Sequence, residues 1–255
     1  MRARTVQIVF CLGLVLIAVA YLAASFSPRH PRTVALDVGF SGTRFTLILL
    51  SLFWIQDLVT REIDRKIILQ SLSFPVSRVA FLFGRYVAVL VLIALSTVVL
   101  GLSLLLAVGL SSPNYDQEFR VALGLPYWMT LLGIAVDVSV VAAVALAVAT
   151  VSTVSALPLM VGAGFAVAGK ALGAAFDYLA RGADGDQQFV AEWSGRIDIV
   201  RWLVPDLSRL DWRDWPLYGA EPATPMLAWP VVMALAYVLI VLALAWNVLE
   251  RREFG

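Results

Sequence analysis

The chain has 255 residues, of which 61% are hydrophobic, and its mean hydropathy is +0.88. This apolar content exceeds the roughly 45–50% of soluble domains, so it excludes an ordinary soluble protein and predicts an all-α integral membrane protein. The formal net charge of +1 provides no basic field for nucleic-acid binding. With Cys11 and His30 as the single residues of their types, a disulfide within the chain is impossible and a metal site is not expected.

Six apolar segments are long enough to cross a bilayer, which takes about 20 helical residues for about 30 Å of hydrocarbon. They lie near residues 6–26, 43–60, 82–110, 126–150, 154–175 and 229–249. The first segment follows Met1-Arg2-Ala3-Arg4 and could imitate a signal peptide, but its apolar run is longer than that of a signal peptide. We therefore interpret it as a retained span and predict six transmembrane helices in one domain, 1–255.

A charged elbow, residues 61–85, interrupts the apolar chain between spans two and three. Asp57 and Arg61, and then Glu62 and Lys66, are spaced four apart with the acid first, which supports a helix. The apolar residues of this stretch do not form one stripe, so a solvated surface loop is the alternative.

Span four carries Asp137 near its middle, where an ionised carboxylate costs several kcal/mol and usually has a partner or a water-filled path. Lys170 in span five is the nearest predicted partner. The pair is either a structural contact or part of the polar wall of a substrate path, so both residues are candidates for a translocation path.

Residues 164–170 of span five have the spacing of a phosphate-binding loop, but the next residue is Ala171 where that loop needs Ser or Thr. The motif also needs a preceding strand, so we reject it. Gly162, Gly164, Gly169 and Gly173 are better explained by close helix packing, which predicts that span five is buried against its neighbours.

Residues 176–228 form the one sizeable region outside the predicted spans. Tryptophans alternate with acids there, and glycines and prolines divide the segment, which is typical of short helices at a membrane interface. The segment is interpreted as an amphipathic cap over the bundle and, as a second function, as an outer gate. It is too short for an independent domain.

An even number of spans places both termini on one side of the membrane. The following basic residues flank the spans on that side: Arg2, Arg4, Arg61, Arg65, Lys66, Arg78, Arg85, Arg251 and Arg252. Because positive residues favour the cytoplasm, both termini are predicted to be cytoplasmic. Arg29, Arg32, Arg44 and Arg120 would then lie near span ends on the outer side.

Residues 61–86 resemble the cytoplasmic elbow of type-2 ABC transporter permeases. Glu62 corresponds to an acid at a helix end, residues 72–78 (LSFPVSR) to a Leu-x-x-Pro-Val-Ser-Arg turn, and Gly84-Arg85 to a Gly-Lys helix start. Residues 204–213 are similar to the external Pro-Asn/Asp-Leu-Ser segment of short permeases, and residues 246–254 to their basic final turn. Two positions depart from the pattern: residues 64–66 replace a common Gly-Thr, and Arg85 replaces Lys.

This resemblance implies a permease subunit of a bacterial inner-membrane exporter that works by alternating access. It pairs with a second permease copy and docks two cytosolic ATPase subunits, which hold the ATP and Mg²⁺, so this chain is neither an enzyme nor a cofactor binder. The implied ATPase-coupling residues, on a cytoplasmic coupling helix and its turn, are Arg61, Glu62, Asp64, Arg65, Lys66, Pro75, Arg78 and Arg85. The implied external gate is Pro205, Asp206, Asp211 and Trp212.

Two other classes of function were considered. A hydrolase needs a base beside a nucleophile, and His30 lies between Pro28 and Pro31 in a loop, which argues against an enzyme. A motorless channel or an assembly scaffold is the stronger alternative, because six helices and a polar elbow do not by themselves require ATP.

Overall fold

Six long helices make up most of the chain that the structure, a computed structural model, describes, namely residues 2–60, 78–111, 120–152, 154–180 and 206–251. All six are long and apolar enough to cross a membrane, and no strand occurs among these residues. The helices are α1 (Arg2–Ser25), α2 (Pro31–Ile55), α3 (Arg78–Leu110), α4 (Leu125–Val151), α5 (Leu157–Ala180) and α6 (Thr224–Arg251). These features indicate a multi-pass, all-α membrane protein.

The core lies along α2 and α4. In each of these helices 61% of the most apolar stretch is buried, against 22–39% in the other four. Helix α4 contacts α2, α3, α5 and α6, whereas α1 packs on α2 and α3. The helices other than α2 and α4 therefore present most of their apolar surface outward, as helices in contact with lipid do.

Tyrosine hydroxyls tie α3 to α4 within this core. Tyr127 is fully buried and donates a 2.5 Å hydrogen bond to the carbonyl oxygen of Gly101. Tyr86 donates a 3.1 Å bond to the carbonyl oxygen of Ser139. Each bond satisfies a hydroxyl that would otherwise be stranded in an apolar interior.

Five helices begin earlier than their predicted spans, and the difference is largest at α2. Helix α2 begins at Pro31 and not near residue 43, with Pro31 in the first turn, where its missing N–H costs nothing. Helix α3 begins at Arg78, so Gly84 and Arg85 lie inside the helix and not at its start. Helix α2 continues as a π-helix over Gln56–Thr60, directly before the predicted elbow.

The connection between α4 and α5 is short. Helix α4 ends at Val151 and α5 begins at Leu157, and the two helices pack on each other. The Ser152 hydroxyl accepts a 2.9 Å hydrogen bond from the Val154 amide, which stabilises the turn.

Residues 206–218 fold back against the bundle between α5 and α6, and we call them the inserted segment. They contain a 3-10 helix, Leu207–Leu210, and a short α-helix, Asp214–Tyr218, that ends at Gly219 with φ of 70°. A 3.0 Å bond from the Ala122 amide to the Pro216 carbonyl ties the segment to the chain before α4. The end of the bundle that carries this segment is called the capped end.

The predicted burial of span five is wrong. Only 28% of the apolar stretch of α5 is buried, so the helix lies at the periphery of the bundle. Its glycines make room on one side: a Cβ on Gly162 would collide with the Leu52 side chain, and one on Gly169 would approach Leu207 to 2.7 Å. Gly164 faces open space. Gly162 thus allows α2 and α4 to approach α5, and Gly169 allows the inserted segment to do so. These contacts lie on one side of α5 and do not bury it on all sides.

Candidate functional site

A buried ion pair joins the middle of α2 to the middle of α4. The Arg44 Nε donates to Asp137 Oδ2, and the Asp137 side chain is only 4% exposed. A second guanidinium nitrogen of Arg44 donates a 3.3 Å bond to the carbonyl oxygen of Ala166 on α5. Arg44 is therefore the partner of Asp137, and the predicted pairing of Asp137 with Lys170 is not observed.

Lys170 instead pairs with the inserted segment. Its ammonium lies 2.5 Å from Asp211 Oδ2, and Arg213 holds Asp211 Oδ1 at 2.8 Å. Arg213 also reaches α2, where it lies 2.8 Å from Asp37 and donates a 3.1 Å bond to the Ser41 hydroxyl. One carboxylate of the inserted segment is thus held by a cation on each side.

These contacts form two sets, the Arg44–Asp137 pair and the chain of contacts from Lys170 through Asp211 and Arg213 to Asp37. We call the two sets together the charge ladder. Its members are Asp37, Arg44, Asp137, Lys170, Asp211 and Arg213. Asp37 and Arg44 are separated by about 10 Å along α2, at 1.5 Å per residue, so the ladder runs from the capped end towards the middle of the bundle. Charges at this depth are costly unless paired, and they commonly mark a transport or binding pathway.

Glycines let the inserted segment reach this depth. A Cβ on Gly133 of α4 would collide with the Leu210 carbonyl oxygen and approach the Trp212 ring to 3.1 Å. On α5, a Cβ on Gly173 would collide with Ser208. Irregular backbone is tolerated at such depth only where protein or a cavity surrounds it, and here the two helices supply those surroundings.

Local hydrogen bonds fix the shape of the inserted segment. Asp206 caps the 3-10 helix, accepting a 3.1 Å bond from the Ser208 amide and a 2.5 Å bond from its hydroxyl. Trp212 is 6% exposed; its indole N–H donates to the Arg209 carbonyl, and its own carbonyl accepts from Thr130. Of the predicted gate residues, Asp206 and Trp212 are therefore anchors of this segment, Asp211 is its charged contact, and Pro205 lies outside the described residues.

The electrostatics of Asp211 and Arg213 favour their charged forms. Burial raises the pKa of Asp211, but hydrogen bonds from Arg213 and Lys170 and the charges of both outweigh it, so its pKa lies below the ordinary value. Burial lowers the pKa of Arg213, but Asp211 and Asp37 together raise it above the ordinary value. Both residues are therefore ionised at neutral pH.

Two cavities lie on either side of these ion pairs. A cleft of about 210 Å³ between α2 and α5 is lined by Arg44, Lys170 and Arg213 together with apolar residues. A cavity of about 680 Å³ between the inserted segment and the start of α6 is lined by Asp211, Trp212 and several apolar side chains. The Lys170–Asp211–Arg213 contacts thus form part of the wall between the cleft and the outer cavity.

Most of the predicted ATPase-coupling residues lie outside the described residues. These are Arg61, Glu62, Asp64, Arg65, Lys66 and Pro75. Arg78 is the first residue of α3, and Arg85 is half-buried in its second turn. The coupling helix therefore remains a prediction of the sequence.

The sequence analysis did not identify Arg44, Asp37 and Arg213 as site residues. Asp37, Ser41 and Arg44 recur at intervals of four and three residues, the spacing of one helix face. That spacing could have indicated a polar stripe had α2 been extended back to Pro31. Arg213 carried no comparable signal, since its partners are far away in the sequence.

The charge ladder is not arranged as a metal site. Among the residues that the structure describes, no group of three or more His, Cys, Asp and Glu side chains is placed to hold a metal ion. Each acid of the ladder faces an Arg or Lys, which would compete with a metal cation for the carboxylate oxygens.

Comparison with known proteins adds no name to this arrangement. No protein-family model matches the chain, and no curated protein matches it either. The ladder, the two cavities and the inserted segment are accordingly the observations from which a function is inferred.

Proposed function

We propose that the chain is the membrane-spanning permease subunit of an ATP-driven ABC transporter, working as an exporter. The observation that supports it most strongly is the charge ladder, which places three acids and three bases between α2, α4, α5 and the inserted segment. Within the ladder, Arg44 and the 4% exposed Asp137 lie at the middle of spanning helices, where an unpaired charge costs about 2.5–3.5 kcal/mol on insertion scales and commonly marks a transport pathway.

The inserted segment is the proposed outer gate. Its Asp211 closes the wall between the cleft and the outer cavity, and Trp212 anchors it in α4. Breaking the contact between Asp211 and Lys170 would join the two cavities. A substrate would then pass from the cleft to the capped end without any change in the core pair of Arg44 and Asp137.

The energy source is proposed from the resemblance of residues 61–86 to the elbow of ABC permeases. Two cytosolic ATPase subunits would dock on this elbow, hold the ATP and Mg²⁺, and shift the population between inward-facing and outward-facing states. A second permease copy would complete the path. The termini would be cytoplasmic and the capped end would face outward from the bacterial inner membrane.

Co-purification of the full chain from native membranes tests the proposed motor. We expect an ATP-binding subunit to remain attached to the wild-type chain and to be lost from a Glu62→Arg, Arg78→Glu double variant that still inserts. The physical reason is that reversing both charges of the elbow replaces attraction to the docking surface by repulsion.

A matched control reverses two charges at the other end of the bundle. Arg120 and Glu221 are exposed near the capped end, and the Arg120→Glu, Glu221→Arg variant should keep the ATPase. Loss of the ATPase from both double variants would contradict the proposal that the ATPase binds specifically at the elbow. If no ATPase accompanies even the wild-type chain, the transporter proposal fails and a channel or scaffold takes its place.

A further inference from the structure

The cleft between α2 and α5 combines cationic and apolar walls. Its polar lining includes Arg44, Lys170 and Arg213, whose side chains are 15%, 31% and 22% exposed. From this combination we propose that the cleft binds an anionic amphiphile, with its phosphate or carboxylate headgroup on these cations and its alkyl chain against α2 and α5.

The cations retain hydrogen-bonding capacity towards the cleft. A lysine ammonium has three donors and a guanidinium has five. In the described part of the chain, Lys170 donates one bond, to Asp211, and Arg44 donates two, to Asp137 and Ala166. Three N–H groups of Arg44 and two of Lys170 are thus not used by these contacts. Charge-assisted bonds from such donors are the usual means of holding a phosphate or carboxylate.

The acids of the ladder do not cancel this preference. Asp137 lies behind Arg44 and is 4% exposed, and Asp211 belongs to the lining of the outer cavity. Asp37 pairs with Arg213 but does not line the cleft. Among the described residues that line the cleft, the charged side chains are all cationic. A ligand in the cleft therefore meets the positive sides of the ion pairs.

The size of the cleft limits which part of a ligand it encloses. Its volume of about 210 Å³ is below the roughly 300–1,000 Å³ of pockets that enclose drug-sized ligands. It can therefore enclose a headgroup and the first carbons of a chain, and the remainder must lie outside.

The apolar residues at the cleft provide a place for that remainder. Phe45 on α2 is 52% exposed and Val167 on α5 is 72% exposed, and both line the cleft. Exposed apolar side chains on spanning helices face the hydrocarbon of the bilayer. An alkyl chain can thus run from the cleft between these helices into the membrane, which a free phosphate ion would not exploit.

Binding at the cleft needs no motor. Only the statement that the bound amphiphile is the transported substrate rests on the proposed function. The two proposals can therefore be contradicted separately. An attached ATPase with no ligand in the cleft would contradict amphiphile binding, whereas a bound amphiphile with no attached ATPase would contradict the proposed ABC transporter.

Native mass spectrometry of the full chain, purified in an uncharged maltoside detergent, tests the cleft with dodecyl phosphate as the probe. We expect one saturable dodecyl phosphate per chain. Lys170→Gln should weaken binding about tenfold or more, because it removes the charge-assisted hydrogen bonds of the ammonium to the headgroup. Lys170→Arg should retain most of the affinity because it keeps the charge.

A second variant tests the apolar mouth without changing any charge. Val167→Trp adds bulk at a position that is already exposed, so the fold should persist while the alkyl chain is obstructed. The matched control is Arg120→Gln: Arg120 is exposed near the capped end and does not line the cleft. It should bind the probe as the wild type does.

Each other outcome overturns the proposal. A loss of binding in Arg120→Gln equal to that in Lys170→Gln would show that the ligand does not bind in the cleft. Displacement of the probe by inorganic phosphate at equal concentration would show that the alkyl chain contributes nothing. Absence of saturable binding to the wild-type chain, or full binding in both Lys170→Gln and Val167→Trp, would exclude the site.

Discussion

Lys170 and Asp211 lie 41 positions apart in the sequence and are joined by an ion pair of 2.5 Å. The sequence analysis assigned Lys170 to a translocation path and Asp211 to an external gate. Their contact joins the two predicted sites, because the predicted gate residue Asp211 is bonded to Lys170, which lines the cleft.

Asp211→Asn should loosen the inserted segment. The substitution removes the charge that holds Lys170 but leaves Arg213 paired with Asp37. We expect about tenfold faster reaction of an anionic, membrane-impermeant thiol reagent with a cysteine at Ala163, which lines the cleft, in a Cys11→Ala background. The factor corresponds to a charge-assisted hydrogen bond of roughly 1.5–3 kcal/mol.

The control for this experiment is Asp214→Asn. Asp214 is an exposed acid three residues further along, in the first turn of the short helix. Its loss should change the reaction rate less than twofold, since an exposed charge at a helix start contributes only about 0.3–1 kcal/mol. Equal acceleration in both variants would mean that the Lys170 contact does not hold the segment.

Arg44→Gln should destabilise the chain more than the double variant Arg44→Gln, Asp137→Asn. The single change leaves a buried carboxylate without its cation, which costs about 3–5 kcal/mol, whereas the double change removes both charges. Unfolding in a denaturing detergent, measured as a double-mutant cycle, should show strong coupling between the two residues.

The same cycle run on Lys170 and Asp137 separates the observed pairing from the predicted one. These residues are not bonded to each other, so Lys170→Gln and Asp137→Asn should be closer to additive than Arg44→Gln and Asp137→Asn. Equal coupling in both cycles would contradict the assignment of Arg44 as the partner. Asp137→Asn alone should still insert into the membrane while reducing transport.

Gly133→Ala should displace the inserted segment from α4. The added methyl group meets the Leu210 carbonyl and the Trp212 ring, neither of which can yield without moving the segment. Overpacking of this kind costs about 1–3 kcal/mol. The loss should appear as a lower thermal midpoint and as faster hydrogen exchange at residues 206–218.

Gly164→Ala is the matched control on α5. A methyl group there meets no atom within 4 Å. The better helix propensity of Ala should leave stability unchanged or raise it by up to about 1 kcal/mol. Similar exchange at residues 206–218 in both variants would contradict the close approach at Gly133.

The contacts of Asp211 should not change between about pH 5 and pH 9. Its pKa is lowered in the folded state, so its stabilisation is present above the unfolded value of about 3.9 and is lost only as the pH falls through the lower folded value. The pKa of Arg213 is raised, so its contribution is present below its unfolded value and is lost only as a strongly alkaline pH rises through the folded value.

Infrared difference spectroscopy of the Asp211 carboxylate measures this behaviour. The band is assigned by its absence in Asp211→Asn, and it should keep its ionised frequency throughout the neutral range. A protonated carboxyl band from Asp211 near neutral pH would contradict the prediction and would make the proposed gate a proton-sensitive one.

The six spans could be predicted from the sequence because a run of about 20 apolar residues has few alternatives to a membrane helix. The start of α2 could not, because Arg32, Asp37 and Arg44 lower the local hydropathy. The helix tolerates them since each has a partner: the Ser111 carbonyl for Arg32, Arg213 for Asp37 and Asp137 for Arg44. A hydropathy value is assigned to each residue without regard to its partner. Hydropathy therefore underestimates the length of a spanning helix whose charged residues are paired.

The pairing of the site residues was harder to predict for a related reason. Asp137 lies 93 positions from Arg44, and several basic residues could have reached its depth. The choice between Arg44 and Lys170 depends on where the inserted segment lies, because Asp211 engages Lys170. The glycines of span five indicated that another part of the chain packs closely against this helix. They could not indicate that this part would include the inserted segment as well as a helix.

The order of synthesis gives the charge ladder a consequence for assembly. Arg44 leaves the ribosome 93 residues before Asp137, and Lys170 leaves it 41 residues before Asp211. Until those acids have been synthesised, α2 and α5 each contain a cation without its partner. Inserting such a cation at the centre of a membrane helix costs about 2.5–3.5 kcal/mol. We therefore expect both helices to stay beside the insertion machinery, and to settle into the lipid only when the later acids have been made.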